Sequence, residues 1–309
     1  MTTRHILSAD QFDQELLFKL FKKAELYRQN IRGGRDLGLQ GKRMMSLFYE
    51  VSTRTRISFE SAALELGMTV TMTEAAAQFS SAAKGETLED TIHVLCEYFP
   101  ATIILRHPEI GAAKRAALVA ERYGVPIINA GDGKGEHPSQ ALLDLYTIHR
   151  KFGRLTNLVV ALGGDLANGR TGKSLCRLLS KFEDNRFIFI APSNLQMDTE
   201  ITSLLDQKGL HWKAADCLLE LSEADVIYWT RVQKERMSDE DIEKLGDKAP
   251  FQITPEIMHT VKKDAILMHP LPRVDEILSS VDSDPRAVYF EQAGNGMFAR
   301  MALLDYILN

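Results

Sequence analysis

A short polar segment near residue 54 has the residue types that bind phosphate. It reads Ser52-Thr53-Arg54-Thr55-Arg56 and lies between an apolar run typical of a buried strand, 44–49, and a helix-like segment, 57–66. The N-terminus of a helix offers unpaired backbone N–H groups and the positive end of the helix dipole, and an arginine adds a bidentate donor. These features predict a phosphate site. The alternative is a Ser/Thr helix cap followed by solvated arginines.

Polar side chains also follow five further predicted strands. Ligands collect at the carboxyl ends of the strands of open parallel sheets, so these segments are candidates for a functional site. Taken singly, each has an ordinary structural explanation: a solvated arginine, a helix cap before proline, or a rigid turn. Matched polar chemistry at so many strand ends favours a site. The segments are Arg106-His107-Pro108 after 101–105, His137-Pro138-Ser139-Gln140 after 126–129, Gly169-Arg170 after 158–162, Arg231-Val232-Gln233 after 226–230, and His269-Pro270-Leu271-Pro272-Arg273 after 265–268.

Strand-like and helix-like segments alternate along almost the whole chain, which is the pattern of parallel sheets covered on both faces. The pattern restarts after Gly153. We therefore predict an α/β fold with two doubly wound, Rossmann-like parallel-sheet domains joined by interdomain helices. The remaining predicted elements are a strand at 187–191 and helices at 12–28, 87–99, 112–123, 138–152 and 296–308.

The predicted domain division follows the polar segments. Residues 1–136, with a C-terminal helix at 288–309 packing back on them, contain the phosphate segment. Residues 137–287 form the second domain, which is entered through the linking helix at 138–152.

Composition excludes several classes of protein. At 309 residues, 45% hydrophobic and 26% charged, the chain is long enough for two globular domains, and its net charge of −5 argues against a nucleic-acid surface.

No apolar run approaches the roughly 18 residues that span a bilayer, and residues 1–11 lack a secretory signal, so we expect no membrane partner. Three cysteines without a CxxC pair predict reduced thiols and a cytoplasmic location. Clustered Cys/His spacing and a GxGxxG turn are both lacking, so we expect no metal and no cofactor.

The combined motifs resemble the successive signatures of the aspartate and ornithine carbamoyltransferase family. Order and spacing match over nearly the whole chain. The resemblance implies transfer of a carbamoyl group from carbamoyl phosphate to an amino acid, with no cofactor. The motifs that carry it are residues 52–56, Lys84-Gly85-Glu86, Arg106-His107-Pro108, 137–140 and 269–273.

The resemblance also implies a role for each matched residue. The phosphate of carbamoyl phosphate is held by Ser52, Thr53, Arg54, Thr55 and Arg106, while Thr55, Arg106 and His137 lie near its carbonyl oxygen. Gln140 and the backbone carbonyls of Leu271 and Pro272 contact the carbamoyl amine and the incoming amine. The implied catalytic residues are Arg54, Thr55, Lys84, Arg106 and His137.

The acceptor is predicted to be L-aspartate. Aspartate brings two carboxylates, which guanidinium groups bind well, whereas a second amine would favour acidic or thiolate partners. Arg170 and Arg231 suit a dicarboxylate, and the His-Pro-Leu-Pro motif lacks the cysteine typical of ornithine enzymes. Gln233 lies in a segment that resembles the family's loop over aspartate. Two alternatives stay open: an enzyme for ornithine or a related amino acid, and a non-catalytic anion-binding protein on the same fold.

Assembly and pathway are implied by the resemblance alone. Ser80 and Lys84 lie in a segment of small residues, 75–84, that is predicted to be a mobile loop. The matching loop of the family reaches the active site of a neighbouring subunit, which implies a homotrimer with shared sites. It adds Ser80 and Lys84 to the carbamoyl phosphate ligands and Lys84 to the aspartate ligands. The reaction would be an early step of pyrimidine biosynthesis. Ala167-Asn168 stands where similar chains often carry lysine and tyrosine, and whether separate regulatory chains bind cannot be read from the residues.

Overall fold

The computed structural model describes residues 3–31, 38–79, 81–232 and 251–309. The chain forms two compact units. Met1–Leu143 together with Gly294–Asn309 make up the first unit, and Asp144–Ala293 make up the second. The domain division predicted from the sequence, at 136/137 and 287/288, separates the residues expected to bind carbamoyl phosphate from those expected to bind aspartate. That division stays a prediction.

The first unit contains a parallel sheet of four strands in the order β2-β1-β3-β4. The central strands are apolar and buried, and Met45, Leu47, Ile103 and Leu105 pack in one hydrophobic core. The elements of this unit are β1 (Arg43–Phe48), β2 (Thr69–Thr73), β3 (Thr102–His107), β4 (Ile127–Asp132), α1 (Gln14–Asn30), α2 (Thr53–Glu65), α3 (Ala76–Phe79), α4 (Leu88–Cys96) and α5 (Ala112–Ala120), with the first part of α6 (Pro138–Phe152).

The second unit contains a parallel sheet of five strands in the order β7-β6-β5-β8-β9. Ile188, Ile227 and Trp229 from its strands pack with Met258 and Tyr289 from its helices. The elements are β5 (Val159–Gly163), β6 (Arg186–Ile190), β7 (His211–Ala215), β8 (Val226–Trp229), β9 (Ile266–Met268), α7 (Arg170–Leu179), α8 (Thr199–Gln207), α9 (Pro255–Thr260) and the first residues of α10 (Tyr289–Leu308), which ends in the first unit.

The helices begin where the sequence offers a cap. Asp13, Thr87 and Asp198 each accept a hydrogen bond from a backbone N–H of the first turn of their helices. Pro138 is the first residue of α6, as predicted, because its missing N–H and fixed φ suit the first helical position. The α/β fold class with two parallel sheets is confirmed.

Two helices begin earlier than predicted. Helix α2 begins at Thr53 and not at residue 57, so the polar segment is itself the first turn of the helix. Helix α10 begins at Tyr289, seven residues before the helix pattern at 296–308 but one residue after the start at 288 that the domain division gives. Glycine has a low helix propensity, but packing overrides it at Gly296, where a Cβ atom would lie 2.6 Å from Nη1 of Arg300.

The segment predicted as a loop, 75–84, is partly helical. Ala75 has a φ of +52° and precedes α3, and Ser81–Lys84 form one 3-10 turn. Ser80 lies outside the described residues. Among the helices of the described ranges, none combines the length and the apolar character needed to cross a membrane.

Candidate active site

The first turn of α2 has the geometry of an anion site. Its first intrahelical hydrogen bond runs from the Arg56 N–H to the Ser52 carbonyl, at 3.0 Å. The N–H groups of Thr53, Arg54 and Thr55 precede this bond and therefore lack intrahelical acceptors. The Ser52 side chain makes no capping hydrogen bond, and the Arg54 side chain is exposed. Backbone donors, hydroxyl groups and a guanidinium are thus placed together at the positive end of a helix.

The second arginine of the segment has different surroundings. The guanidinium of Arg56 lies 3.1 Å from the carboxylate of Glu74 and 3.7 Å from that of Glu60. Glu74 also accepts the N–H of Ser52 at 3.3 Å. Arg56 therefore holds α2 against the end of β2 by ion pairing, while Arg54 is the arginine exposed to a ligand.

His137 is buried beside α2. Its Nε2 lies 3.5 Å from the Thr55 hydroxyl, and its Nδ1 lies 3.4 Å from the Ser139 hydroxyl. Thr55 and His137 are only 7% and 3% exposed, so the imidazole is held in place between two hydroxyl groups. Gln140 follows in the first turn of α6, where its N–H donates to the His137 carbonyl at 2.9 Å. The structure thus brings two predicted site residues, from segments 82 positions apart, into contact.

Arg106 lies at the end of β3, between β1 and β4. Its Nε is 3.3 Å from the carboxylate of Glu50, and its Nη1 donates to the Ala130 carbonyl at 3.5 Å. Since β1, β3 and β4 are neighbours in a parallel sheet, the phosphate segment, Arg106 and His137 follow adjacent strand ends. Lys84 ends the 81–84 turn with its side chain exposed. Within the described ranges, no hydrogen bond or ion pair joins Lys84 to the other predicted residues.

The acceptor residues of the second unit follow β5, β8 and β9, which are also neighbours. Arg170 is the first residue of α7 and is only 6% exposed. Arg231 follows β8 and is half-buried, with Nη1 donating to the Val232 carbonyl at 3.3 Å. Gln233 lies outside the described residues. Two guanidinium groups therefore belong to adjacent strand ends, as binding of a dicarboxylate would require.

The turn before Arg170 is held by Asp165, which accepts the backbone N–H of Asn168 at 2.9 Å. The Lys173 ammonium donates to the Ala167 carbonyl at 2.7 Å. The Ala167-Asn168 pair is therefore part of a turn fixed by hydrogen bonds within its own unit.

The ends of β5 and β8 approach so closely that only glycine fits between them. Gly164 has a φ of +93°, and a Cβ atom there would lie 1.9 Å from the Thr230 carbonyl oxygen. The N–H and the hydroxyl of Thr230 both donate to the Gly163 carbonyl at 2.9 Å. This contact fixes the segment that leads to Arg231.

We expect Gly164→Ala to destabilise the protein by about 1–3 kcal/mol more than Gly153→Ala, because overpacking against a backbone oxygen adds to backbone strain. Gly153 is the matched control, since it also has a positive φ, +67°, but no atom lies within 4 Å of the position that its added methyl group would take. Urea unfolding of both variants measures the difference. Equal losses of unfolding free energy would contradict the close contact.

The His-Pro-Leu-Pro segment forms a tight loop after β9. Leu271 has a φ of +54° and is joined to Pro272 by a cis peptide bond. The Leu271 N–H donates to Nδ1 of His269 at 2.7 Å, and Nε2 of His269 lies 2.7 Å from a carboxylate oxygen of Glu276. Burial raises the pKa of Glu276, but hydrogen bonds from His269 and from backbone N–H groups lower it, and the resulting pKa is below its ordinary value.

Three acidic residues of these sites were not predicted from the sequence. Glu50 comes two residues after the end of β1, so the strand-end rule could have identified it. Glu74 follows β2, a strand that the sequence did not reveal, and Glu276 comes seven residues after His269 without a recognisable spacing. In the described part of the chain, no group of three or more His, Cys, Asp and Glu residues could hold a metal ion.

Two family models together match most of the chain. One describes the aspartate/ornithine carbamoyltransferase carbamoyl-P binding domain and matches residues 4–150; the other describes the Asp/Orn binding domain and matches residues 156–307. The chain therefore belongs to the aspartate/ornithine carbamoyltransferase family.

Several similar proteins belong to the aspartate branch of the family. The chain is 48% identical over 306 residues to aspartate carbamoyltransferase 1, chloroplastic, of Pisum sativum, covering 98% of this chain and 78% of that protein. It is 47% identical to the chloroplastic aspartate carbamoyltransferase of Arabidopsis thaliana, covering 98% and 77%. Aspartate transcarbamoylase from Trypanosoma cruzi in complex with N-(phosphonacetyl)-L-aspartic acid is 39% identical, with a TM-score of 0.90 and coverage of 98% and 95%. The same T. cruzi enzyme with carbamoyl phosphate and aspartate also gives a TM-score of 0.90.

Proposed function

We propose that this chain transfers the carbamoyl group of carbamoyl phosphate to the α-amino group of L-aspartate, giving N-carbamoyl-L-aspartate and phosphate. The observation that carries the proposal is the buried contact between His137 and Thr55 beside the first turn of α2. A phosphate site alone would suit many proteins, whereas a phosphate site with a polar group fixed beside it suits a reacting carbonyl. The names of the similar proteins support the same reaction.

The first unit supplies the donor half of the reaction. The first-turn N–H groups of α2 and the Arg54 guanidinium neutralise the phosphate, which makes it a better leaving group. Arg106 is held at the end of β3 by Glu50 and Ala130, and it exchanges part of this pairing for the ligand. His137 and Thr55 donate hydrogen bonds to the carbonyl oxygen, on which negative charge develops.

The bond changes are those of acyl transfer. The α-amino nitrogen of aspartate attacks the carbamoyl carbon, and a tetrahedral intermediate forms. The C–O bond to phosphate then breaks, and the departing phosphate takes the proton that the amine loses. No covalent bond to the protein is needed, so positioning and electrostatic stabilisation supply the acceleration.

The second unit supplies the acceptor half. Arg170 and Arg231 each offer a planar fork of N–H donors to a carboxylate of aspartate. The carbonyls of Leu271 and Pro272 accept hydrogen bonds from an amine. Gln140, which belongs to the first unit, contacts the carbamoyl amine. Gln233 and Ser80 complete the predicted ligand set.

Isotope labelling tests the proposed bond directly. Purified chain is incubated with carbamoyl phosphate labelled with ¹³C at the carbonyl and with ¹⁵N-aspartate, and the product is followed by NMR. A ureido carbon signal split by one ¹⁵N nucleus is expected, because the new bond joins these two atoms. An unsplit carbon signal at the same rate as without aspartate would indicate simple hydrolysis and contradict the proposal.

We also propose a homotrimer whose active sites are shared, with Lys84 acting in the site of a neighbouring copy. The exposed side chain of Lys84, at the end of the 81–84 turn, supports this proposal. A residue that acts in a neighbouring site must be accessible on its own subunit.

Mixing two inactive variants tests shared sites. Equal amounts of Lys84→Ala and Arg54→Ala chains, dissociated and reassembled together, are expected to recover roughly a quarter of wild-type activity, since random pairing restores about one site in four. Each variant reassembled alone is the control. If the mixture is no more active than the controls, sites are not shared.

We propose that the reaction belongs to de novo pyrimidine biosynthesis, because ring closure between the carbamoyl nitrogen of the product and its side-chain carboxylate would form the six-membered ring of a pyrimidine. The cytoplasmic location stays a prediction, and the names of the plant relatives place those proteins in the chloroplast. The residues do not decide whether separate regulatory chains bind.

A further inference from the structure

A chain of buried polar groups holds the loop that follows β9. Tyr228 donates its hydroxyl hydrogen to Asp144 at 2.8 Å, and Gln292 donates to the other oxygen of Asp144 at 2.7 Å. The side-chain oxygen of Gln292 in turn accepts the backbone N–H of His269 at 2.9 Å. All four residues are 2% exposed or less, so the backbone of His269 is anchored to α6, α10 and β8 of its own unit.

The ring of His269 connects this anchor to Leu271. The Leu271 N–H donates to Nδ1, which therefore carries no hydrogen, and the ring hydrogen is on Nε2. Nε2 faces the Glu276 carboxylate at 2.7 Å. The other oxygen of Glu276 accepts the N–H groups of Val274 and Asp275, at 3.0 and 3.2 Å. Both ends of the loop from 269 to 276 are thus tied to one carboxylate.

The backbone of Leu271 is in the left-handed region, with a φ of +54°, and therefore requires stabilising contacts. This region is costly for a residue with a branched side chain, and it persists only where surrounding contacts enforce it. The direction of the Leu271 carbonyl depends on this conformation. The hydrogen bond from the Leu271 N–H to Nδ1 of His269 acts on the backbone of Leu271 directly.

We infer that His269 and Glu276 are positioning residues: Glu276 fixes the Nε2–H form of His269, and the unprotonated Nδ1 then holds Leu271 so that its carbonyl is directed at the amine of the substrate. This inference rests on the proposed function, since it deepens the role of the same loop. Neither side chain touches substrate in this account. Their effect on the reaction is transmitted by the backbone of Leu271.

Two amide variants of His269 distinguish a role in positioning Leu271 from a role in stability alone. His269→Asn places an amide oxygen near the position of Nδ1 and keeps an acceptor for the Leu271 N–H. His269→Gln places its amide near the position of Nε2, which keeps the bond to Glu276 but removes the acceptor for Leu271. Each variant loses one buried hydrogen bond, and His269→Asn is expected to lose more thermal stability, because its lost bond is made to a carboxylate.

The two variants are expected to differ in catalysis. His269→Asn should keep kcat within about threefold of the wild type, while His269→Gln should lose roughly tenfold or more, the equivalent of one hydrogen bond. The affinity for inorganic phosphate should be unchanged in both, because the phosphate residues belong to the first unit. Equal losses of kcat, or a larger loss in the asparagine variant, would overturn the inference.

The histidine form can be observed without any turnover. In ¹⁵N-histidine-labelled wild-type protein, His269 is expected to show a protonated Nε2 and an unprotonated Nδ1, with assignment from the spectrum of His269→Asn or, should that variant not fold, of Glu276→Gln. A protonated Nδ1 would overturn the inference whatever the activity. An inactive wild type with the expected histidine form would instead overturn the proposed function, so the two failures are distinguishable.

Discussion

Arg54→Ala is expected to lower turnover by roughly a hundredfold or more, the effect of removing one preorganised donor from a developing negative charge. Arg54 lies in the first turn of α2, where three N–H groups precede the first intrahelical bond. Its guanidinium is exposed, whereas the guanidinium of Arg56 is already paired with Glu74. Initial rates of phosphate release at saturating aspartate measure the effect.

The fold should survive this change, since the Arg54 side chain is exposed. Arg122→Ala is the matched control: Arg122 is also an exposed arginine of the first unit, but it precedes β4 and so lies at the amino end of the sheet. The control should turn over at the wild-type rate. Near-normal turnover of Arg54→Ala, with unchanged circular dichroism, would contradict the assignment of a phosphate site to the first turn of α2.

Arg231→Ala is expected to lower kcat/KM for aspartate by roughly 10- to 100-fold, because a hydrogen-bonded contact with a charged group contributes about 1.5–3 kcal/mol. Arg231 follows β8, next to β5 and its Arg170. The KM for carbamoyl phosphate should change little. Arg231→Lys should recover only part of the loss, since an ammonium keeps the charge but not the planar fork of donors.

The control for Arg231 is Arg186→Ala, an exposed arginine that begins β6 at the amino end of the same sheet. Its kinetics should match those of the wild type. A kcat/KM for aspartate that is unaffected by Arg231→Ala, or a loss that falls equally on carbamoyl phosphate, would contradict the assignment of Arg231 to the acceptor.

The central strands could be predicted from the sequence because burial on both faces leaves a continuous apolar run. Every residue of β5 and of β8 is buried. The edge strands β2 and β7 could not, since three of five residues in β2 and four of five in β7 are exposed. Their pairing with β1 and β6 is decided by the sheet and not by their own composition.

In the candidate site, too, residues could be predicted from local sequence motifs, but contacts between distant segments could not. Residue types and strand ends were enough to select Arg54, Arg106, His137 and Arg170. The contact between His137 and Thr55 joins distant segments, and no local pattern reveals it. The same holds for Glu276, whose role depends on the direction in which a buried loop returns to His269.

Initial rates with aspartate and with ornithine, offered separately with carbamoyl phosphate to the purified chain, test the central claim most directly. Phosphate and the carbamoylated amino acid are quantified together, and hydrolysis without an acceptor is subtracted. We predict equal amounts of phosphate and N-carbamoyl-L-aspartate with aspartate, and no carbamoylated product with ornithine. Carbamoylation of ornithine at a comparable rate, or no product with either amino acid, would contradict the account.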